Sequence, residues 1–526
     1  MNLLPTINLM NDMCRVIVDM ELSGIKIDRE ELGRLRDEYL LRQDQLGRTL
    51  NELASSVLGD TPINLNSPEQ LSMLLFSRKV KSKEKWCEVF NLGLEHRGAG
   101  KKPRRPFKMK RDFLVKLIRE NSHVLYKTKL EQCGTCKGSG FIPKFTKGGV
   151  PFKKNPKCLH CSGKGVIYLP TVEVAGFKCS PWYTTELSTH GVKTDSETLE
   201  LFANRTKNPE AREFLNTLME YNKVTHYLDS FIEGMDRGVA YTSDSILHPQ
   251  FNQVATATGR LSSKEPNFQN IPRGTTFPIK RAICSRFQNG KIIEGDFAQL
   301  EFAAAAELSG CKVATTDIIN KVDVHTRTAK VLTDAGQTTG RQDAKAHTFK
   351  PLYGGTSGTD AEQAYYAEFE KRYTGIAQWH ESICNDAVRL KRVVLPTGRQ
   401  YNFPNAKRNS YGGVSGGTTI KNYPVQGFAT GDISPAVTVE VWKLLKERNL
   451  KSKLINIVHD SIIIDTHPEE INEVLEILDL TMGDVYGIML KRYGIKLKVP
   501  FRYEVKIGDN WLNMNVVDIE NKKEVK

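Results

Sequence analysis

KIIEGDFAQLEFAAAAELSG, residues 291–310, is the stretch on which the fold turns. Its first part, KIIEGDF, is short, apolar and β-like, while AQLEFAAAAEL is made of strong helix formers. A strand running straight into a helix leaves Asp296 at a strand end, facing a helix start. Far along the chain, KLINIV (453–458) and SIIID (461–465) are apolar β-rich runs joined only by His459 and Asp460, the pattern of a tight hairpin with an acid at its tip. A carboxylate among such runs costs roughly several kcal/mol to desolvate unless it is paired or holds a metal. Two aspartates on adjacent strands could bridge two Mg²⁺ ions about 3.5–4 Å apart, one activating a hydroxyl and the other holding a triphosphate and its leaving pyrophosphate. Taken singly, either Asp reads more readily as a turn or capping residue.

Outward from this strand–helix unit, RQDAKAHTFKPLYGG (341–355) spaces Arg341, Lys345, Phe349 and Tyr353 four apart. On a helix, successive members of such a set advance by about 40° and share a broad face. The face offers two cations for phosphates and two aromatics as a wall for a sugar and base. Gly354 and Gly355 suit a left-handed helix end. An ordinary amphipathic helix with Phe and Tyr in a core is the competing reading.

The chain has 526 residues, enough for two to four packed units, with a formal charge of +14 and a pI of about 9.1. That surplus suits a polyanion but is shared by many basic proteins. No run of eighteen apolar residues occurs, and Asp12, Arg15, Asp19 and Glu21 interrupt the first apolar stretch. No membrane span or secretory leader is expected, and the location expected is the cytoplasm. Ten cysteines then read as reduced thiols, with close pairs fit for metal.

Helical periodicity runs from Met1 to Ser77 and returns from Ser196 to Met235. Between them lies a Lys/Arg-rich segment from Arg78 to Arg111, then QCGTCKGSGF and KCLHCSGKG. Cys133, Cys136, Cys158 and Cys161 thus form two C-x2-C pairs, spaced to close a tetrahedral Zn²⁺ site. Each half also reads CxxCxGxG, similar to the zinc-binding repeats of DnaJ-type chaperones. Four unligated thiols are the alternative, and His160 reads as a surface residue. After Gly238, short strands alternate with long helices, which favours an α+β core.

These segments together resemble, in order, the motifs of family A DNA polymerases, the DNA polymerase I family, over most of Met1 to Phe76 and Thr185 to Trp511. TATGRLSSKEPNFQNIP is similar to the template-primer stretch, GDFAQLE to motif A, RQDAKAHTFKPLYGG to motif B, NYPVQGFATGD to the minor-groove segment, VHDS to the motif C hairpin and GDNW to the C-terminal end. The resemblance implies a right-hand polymerase fold with a palm antiparallel sheet and helical fingers and thumb. It also implies a DNA-directed DNA polymerase that extends a primer with deoxynucleotides (dNTPs) by two-metal-ion transfer. Asp296 and Asp460 would hold Mg²⁺ with the carbonyl of Phe297. Arg341 and Lys345 would contact the triphosphate, and Lys345 could protonate the departing pyrophosphate. Phe349, Tyr353, Glu301, Gln299 and His325 complete the dNTP set: Glu301 under the sugar excluding a 2′-hydroxyl, Tyr353 guarding the templating position. Phe349, where the family carries Phe or Tyr, implies discrimination against dideoxynucleotides. Arg260, Asn267, Gln269, Asn270, Asn422, Gln426 and His459 would touch DNA, with Arg260, Asn422 and Gln426 probing minor-groove acceptors.

Two positions depart from the pattern. Ser461 follows Asp460 where the family usually has Glu, and Thr418 stands where an Arg is frequent, with Lys421 one turn along as a substitute. The expected division is 1–79 and 184–245 for the thumb and its base, 80–183 for the basic segment plus zinc insertion, 246–300 and 422–526 for the palm, and 301–421 for the fingers. The thumb match begins near the start of the sequence, so proofreading is expected either to be absent or to come from a separate 3′–5′ exonuclease, as would fit a bacteriophage replisome. The insertion reads either as a zinc knob that raises processivity by holding DNA or docking a replisome protein, or as a solvated basic loop stapled by zinc.

Overall fold

The computed structural model describes residues 3–76, 86, 89, 90, 92, 125–145, 149, 155–161, 163–188, 191–272, 274–355, 358–410, 412–518 and 523–525. They fall into two compact units, Asp37–Leu228 and the remainder, Met1–Arg36 with Asp229–Lys526. No helix among the described residues is long and apolar enough to cross a membrane.

The larger unit is built on a six-stranded antiparallel sheet. Its order across the sheet is Lys453–Val458, Ser461–Thr466, Lys291–Ala298, Arg502–Gly508, Met514–Asp518, Lys523–Val525. The expected hairpin forms with a two-residue loop: Val458 pairs with Ser461, and His459 at the first loop position takes φ 58°. Lys291–Ala298 lies between the hairpin and Arg502–Gly508, so Asp296 faces Ser461 on one side and Glu504 on the other. Both hairpin strands are buried almost throughout, as when both faces of a sheet are covered. The helix Leu4–Ser23 presents Leu9, Met13, Val16, Ile17 and Met20 to the same core as Ile462 and Ile464. The helix Ile471–Met482 packs so closely on Lys291–Ala298 that a Cβ on Gly295 would sit 2.5 Å from the Met482 sulfur.

Leu300–Ser309 follows the central strand directly, as the sequence predicts, with Gln299 at its N-cap in the left-handed region. Helices Lys312–Ile319, Val324–Asp334, Arg341–Thr348, Asp360–Arg372 and Thr374–Leu390 come next. Phe302, Tyr365, Tyr366, Phe369 and Tyr373 share one core there. The expected continuous helix from Arg341 to Tyr353 is corrected: α-helix ends at Thr348, and Tyr353 lies in a 3₁₀ turn, Pro351–Tyr353. Pro351 has no N–H to bond back to His347, so the helix cannot run through it. Gly354 then takes the left-handed end, φ 75°.

The smaller unit packs Leu50, Leu58, Leu74, Phe76, Phe202 and Phe214 in one core. From it extends an antiparallel hairpin, Leu125–Gln132 with Val166–Val174, and the four cysteines sit just beyond its paired ends. The segment expected to form the thumb therefore divides. Residues 37–76 and 184–228 share a unit with this hairpin, while residues 3–36 and 229–245 pack with the sheet.

Candidate active site

The strand–helix junction at Asp296 and the hairpin tip at Asp460 meet at the mouth of a cleft of about 520 Å³. Phe297 N–H points at the Asp460 carbonyl, 3.4 Å away, which sets the hairpin loop that carries Asp460 beside the strand that carries Asp296. Both are half-buried. Ser461 lies one residue past Asp460, directly opposite Asp296, and its hydroxyl donates to Asp296 Oδ1 at 2.6 Å. Where the sequence shows only a missing carboxylate, the fold has put a donor that orients the neighbouring one. Gln299 and His459 flank this pair and both take positive φ. Left-handed non-glycine residues are uncommon and concentrate at functional sites.

The cleft's other wall comes from the helices after Leu300. Glu301 accepts hydrogen bonds from Arg260 and from the Tyr353 hydroxyl. Burial and the facing carboxylate push the Tyr353 phenol well above its usual range, so it stays a donor. Arg260 also reaches Thr430 Oγ1 at 3.2 Å, and Thr430 lies in a π-helical turn, Gly427–Ile433. His325 Nδ1 lies 3.0 Å from the Thr348 hydroxyl, and its ring meets Phe349 edge-on at 5.2 Å. Arg341 borders the cleft with its Nε bonded to Asp323 Oδ2 at 2.6 Å. Burial raises the Asp323 carboxyl, but bonds from Arg341 and Thr326 outweigh it and hold it at about 2. Asp323 also accepts from the backbone N–H of His325 and Thr326, capping Val324–Asp334.

The cleft thus gathers Arg260, Asp296, Phe297, Gln299, Glu301, His325, Arg341, Phe349, His459 and Asp460, with Tyr353 tied in through Glu301. The Lys345 side chain lies outside the described residues. Asn267, Gln269, Asn270, Asn422 and Gln426 do not line it. Asn267 caps a 3₁₀ turn, and Gln269 is buried with its amide on the Ile457 carbonyl at 2.6 Å. Asn270 is exposed; Asn422 and Gln426 are half-buried, and among the described residues no bond reaches the Asn422 amide oxygen. Asp323, Thr430 and Ser461 are cleft participants the sequence reading did not assign. Asp323 carried one signal, an acid directly before an apolar helical run.

DNA polymerase family A is the family whose model matches this sequence, over residues 177–513. The chain belongs to DNA polymerase family A. Within the family it is similar to DNA polymerase I of Lactococcus lactis subsp. lactis, 30% identical over 314 residues, 56% of this chain and 34% of that protein. DNA polymerase I of Caldicellulosiruptor bescii is 30% identical over 339 residues, 61% of this chain and 38% of the other. The thermostable DNA polymerase I of Thermus aquaticus is 27% identical over 320 residues, 58% and 37%. The match thus spans little more than a third of the length of these family A relatives. In fold the chain is similar to the polymerase domain of Pol1 from M. smegmatis, solved in complex with DNA primer-template and dNTP: TM-score 0.64, 21% identity, 95% of this chain and 70% of that one.

A second cluster lies in the smaller unit. Cys133, Cys136, Cys158 and Cys161 are buried, with sulfurs all within 4.8 Å of one another. The Cys133–Cys158 and Cys136–Cys161 separations are 3.9 and 3.6 Å, against the ~3.8 Å edge of a tetrahedron with Zn–S bonds of about 2.3 Å. The N–H groups of Gly140 and Gly165 donate to the Cys136 and Cys161 sulfurs at 3.3 and 3.2 Å. The two halves of the repeat interlock, since a Cβ on Gly140 would sit 2.4 Å from the Gly163 carbonyl oxygen and one on Gly165 2.2 Å from that of Gly138. His160 is exposed yet approaches Cys133 Sγ with its Nδ1 at 3.4 Å, a contact that lowers the Cys133 thiol to about 6.

Proposed function

We propose that this chain is a DNA-directed DNA polymerase that extends a primer 3′ end with dNTPs in the cleft between Asp296, Asp460 and the Arg341 helix. The observation that carries the reading is the seating of Asp296 near the end of its strand and of Asp460 in the adjoining hairpin loop, both lining a cleft bordered by Arg341, His325 and Phe349. Asp296, Asp460 and the Phe297 carbonyl are hard oxygen donors of the kind Mg²⁺ prefers. Two bound Mg²⁺ ions would supply an activated 3′-hydroxyl and charge neutralisation on the triphosphate.

The protein's own groups do the positioning. Ser461 fixes the rotamer of Asp296. Arg341 and Lys345 bind the phosphates, and Arg341 leaves Asp323 or shares it as the triphosphate arrives, aided by the greater charge of the incoming group. Glu301, held by Arg260 and Tyr353, closes the floor of the cleft where the nucleotide sugar lies, so an added 2′-hydroxyl would meet a fixed carboxylate. Tyr353 stays on Glu301 until the templating base enters, which couples sugar selection to template position. Residues 301–421 act as the fingers and the sheet as the palm.

Sulfur separations matching a zinc tetrahedron support structural Zn²⁺ at Cys133, Cys136, Cys158 and Cys161, which stiffens the tip of the hairpin and raises processivity. The test of the polymerase reading is single-nucleotide incorporation opposite a defined template base with dNTP and with the matching ribonucleotide. Template-dependent dNTP addition, with ribonucleotide addition at least a hundredfold slower and faster after Glu301→Ala, is the outcome expected. Equal use of both sugars would replace this reading with an RNA polymerase.

A further inference from the structure

Between Glu131 and Glu173 the sequence contains neither Asp nor Glu, while Lys137, Lys144, Lys157 and Lys164 are exposed around the cysteine cluster. A stretch of that length without one carboxylate offers nothing that repels a polyanion. A structural repeat needs glycines and cysteines at these positions; it does not need the intervening surface to be one-signed.

The same module exposes aromatic rings on the side away from the metal ligands. Phe141 pairs with Lys157 in an antiparallel bridge, and bonds from Ile142 N–H to Pro156 O at 3.0 Å and from Cys158 N–H to Gly140 O at 2.8 Å hold the two segments together. Side chains directly opposite each other project on one face, and the next residue along projects on the other. Ile142 accordingly packs against the four cysteines, while Phe141 is 43% exposed beside Lys157. Two pleats further, Phe145 is 61% exposed. Rings standing in water among lysines are poor candidates for core, since the core of this unit is complete without them.

The geometry points to the outer face of this hairpin as a binding surface for single-stranded nucleic acid, with bases stacked on Phe141 and Phe145 and phosphates on Lys157, which stands directly opposite Phe141. Stacking on a ring needs a base whose own face is free, which a strand offers and a duplex does not; every base has such a face, so the surface is indifferent to sequence. A second copy of the chain is a poor occupant, because it would bring the same positive charge to the contact. The inference deepens the proposed role of the insertion by naming its ligand and face, and it does not depend on the chemistry at Asp296 and Asp460.

The experiment uses the zinc-loaded full chain with its cleft saturated by a 3′-blocked hairpin primer–template whose short overhang lacks adenine. Fluorescein-labelled oligodeoxythymidylate is then titrated in and read by anisotropy at about 50 and 200 mM salt. Expected is a second-site affinity that weakens with salt, falls at least tenfold in Phe141→Ala/Phe145→Ala, and has a shallower salt slope in Lys157→Gln, with zinc content unchanged in each. Should the alanine pair lose zinc, Phe141→Leu/Phe145→Leu keeps apolar bulk without a ring, and in that zinc-loaded pair weakened binding supports the inference and full binding overturns it. It is also overturned if the wild type shows no second site, if duplex of the same length binds as tightly, or if the alanine pair alters only self-association. A chain that extends no primer but still binds the oligonucleotide here would sink the polymerase reading and leave this one standing.

Discussion

Ser461 is one methylene and a hydroxyl where a carboxylate is usual in the family, and its bond to Asp296 gives the replacement a task. Ser461→Ala should leave folding unaltered and lower the single-turnover incorporation rate by about tenfold, the worth of one hydrogen bond to a charged group at its lower end; rapid-quench kinetics beside a thermal melt would show it. A rate equal to wild type would mean Asp296 holds its rotamer unaided. Phe349 meets His325 edge-on at the cleft and carries no hydroxyl to stand in for a missing 3′-OH. Phe349→Tyr is therefore expected to raise dideoxynucleotide use by at least tenfold in a competition assay, and unchanged discrimination would remove Phe349 from that role. At this scale the acids were legible in the sequence because a carboxylate between apolar β runs demands a reason. The Ser461–Asp296 and Arg341–Asp323 pairs were not, since each depends on strand register or helix placement that neither partner's local pattern encodes.

Among the elements, the Thr374–Leu390 helix buries His380 at 5% exposure. Burial, aided by Lys421, lowers its imidazole to about 3 from an ordinary 6.5. The folded state thus refuses a proton that the unfolded state accepts between those values. Stability from this residue is complete above pH 6.5 and declines as pH falls toward 3, by at most about 1.4 kcal/mol per pH unit. Urea unfolding at pH 7 and pH 5 should show that decline in the wild type and less of it in His380→Gln. Arg286 binds the buried Asp465 carboxylate through Nε at 2.6 Å, and its other nitrogens reach the Ser23 and Gly24 carbonyls at 2.7 Å, where the first helix ends. Arg286→Ala would strand a buried charge, a loss of about 3–5 kcal/mol visible as a large drop in denaturation midpoint. The tight hairpin and the strand-to-helix passage at Asp296 could be read from sequence, because two-residue loops and abrupt changes of period are local. The end of the motif B helix was readable too, at Pro351, but the four-residue spacing through Tyr353 masked it.

For the whole molecule, two compact units meet in sequence within the single helix Arg29–Leu58. Its heptad-like apolar pattern runs on without a break, so nothing local marks Arg36 as a boundary, whereas family membership was legible because the motifs concentrate in the sheet-bearing unit. Zinc chelation should lower the unfolding temperature of the Asp37–Leu228 unit while leaving incorporation of one nucleotide on a short template within about twofold; simultaneous loss of both would mean the cysteine cluster supports the catalytic unit as well. The most direct test of the account is Mg²⁺-dependent single-nucleotide incorporation by the wild type, Asp296→Asn and Asp460→Asn, with primer–template affinity measured alongside. Each substitution should slow incorporation by at least a thousandfold while DNA is still bound and the fold still melts as before, whereas incorporation persisting in either variant would contradict the assignment of chemistry to this pair of carboxylates.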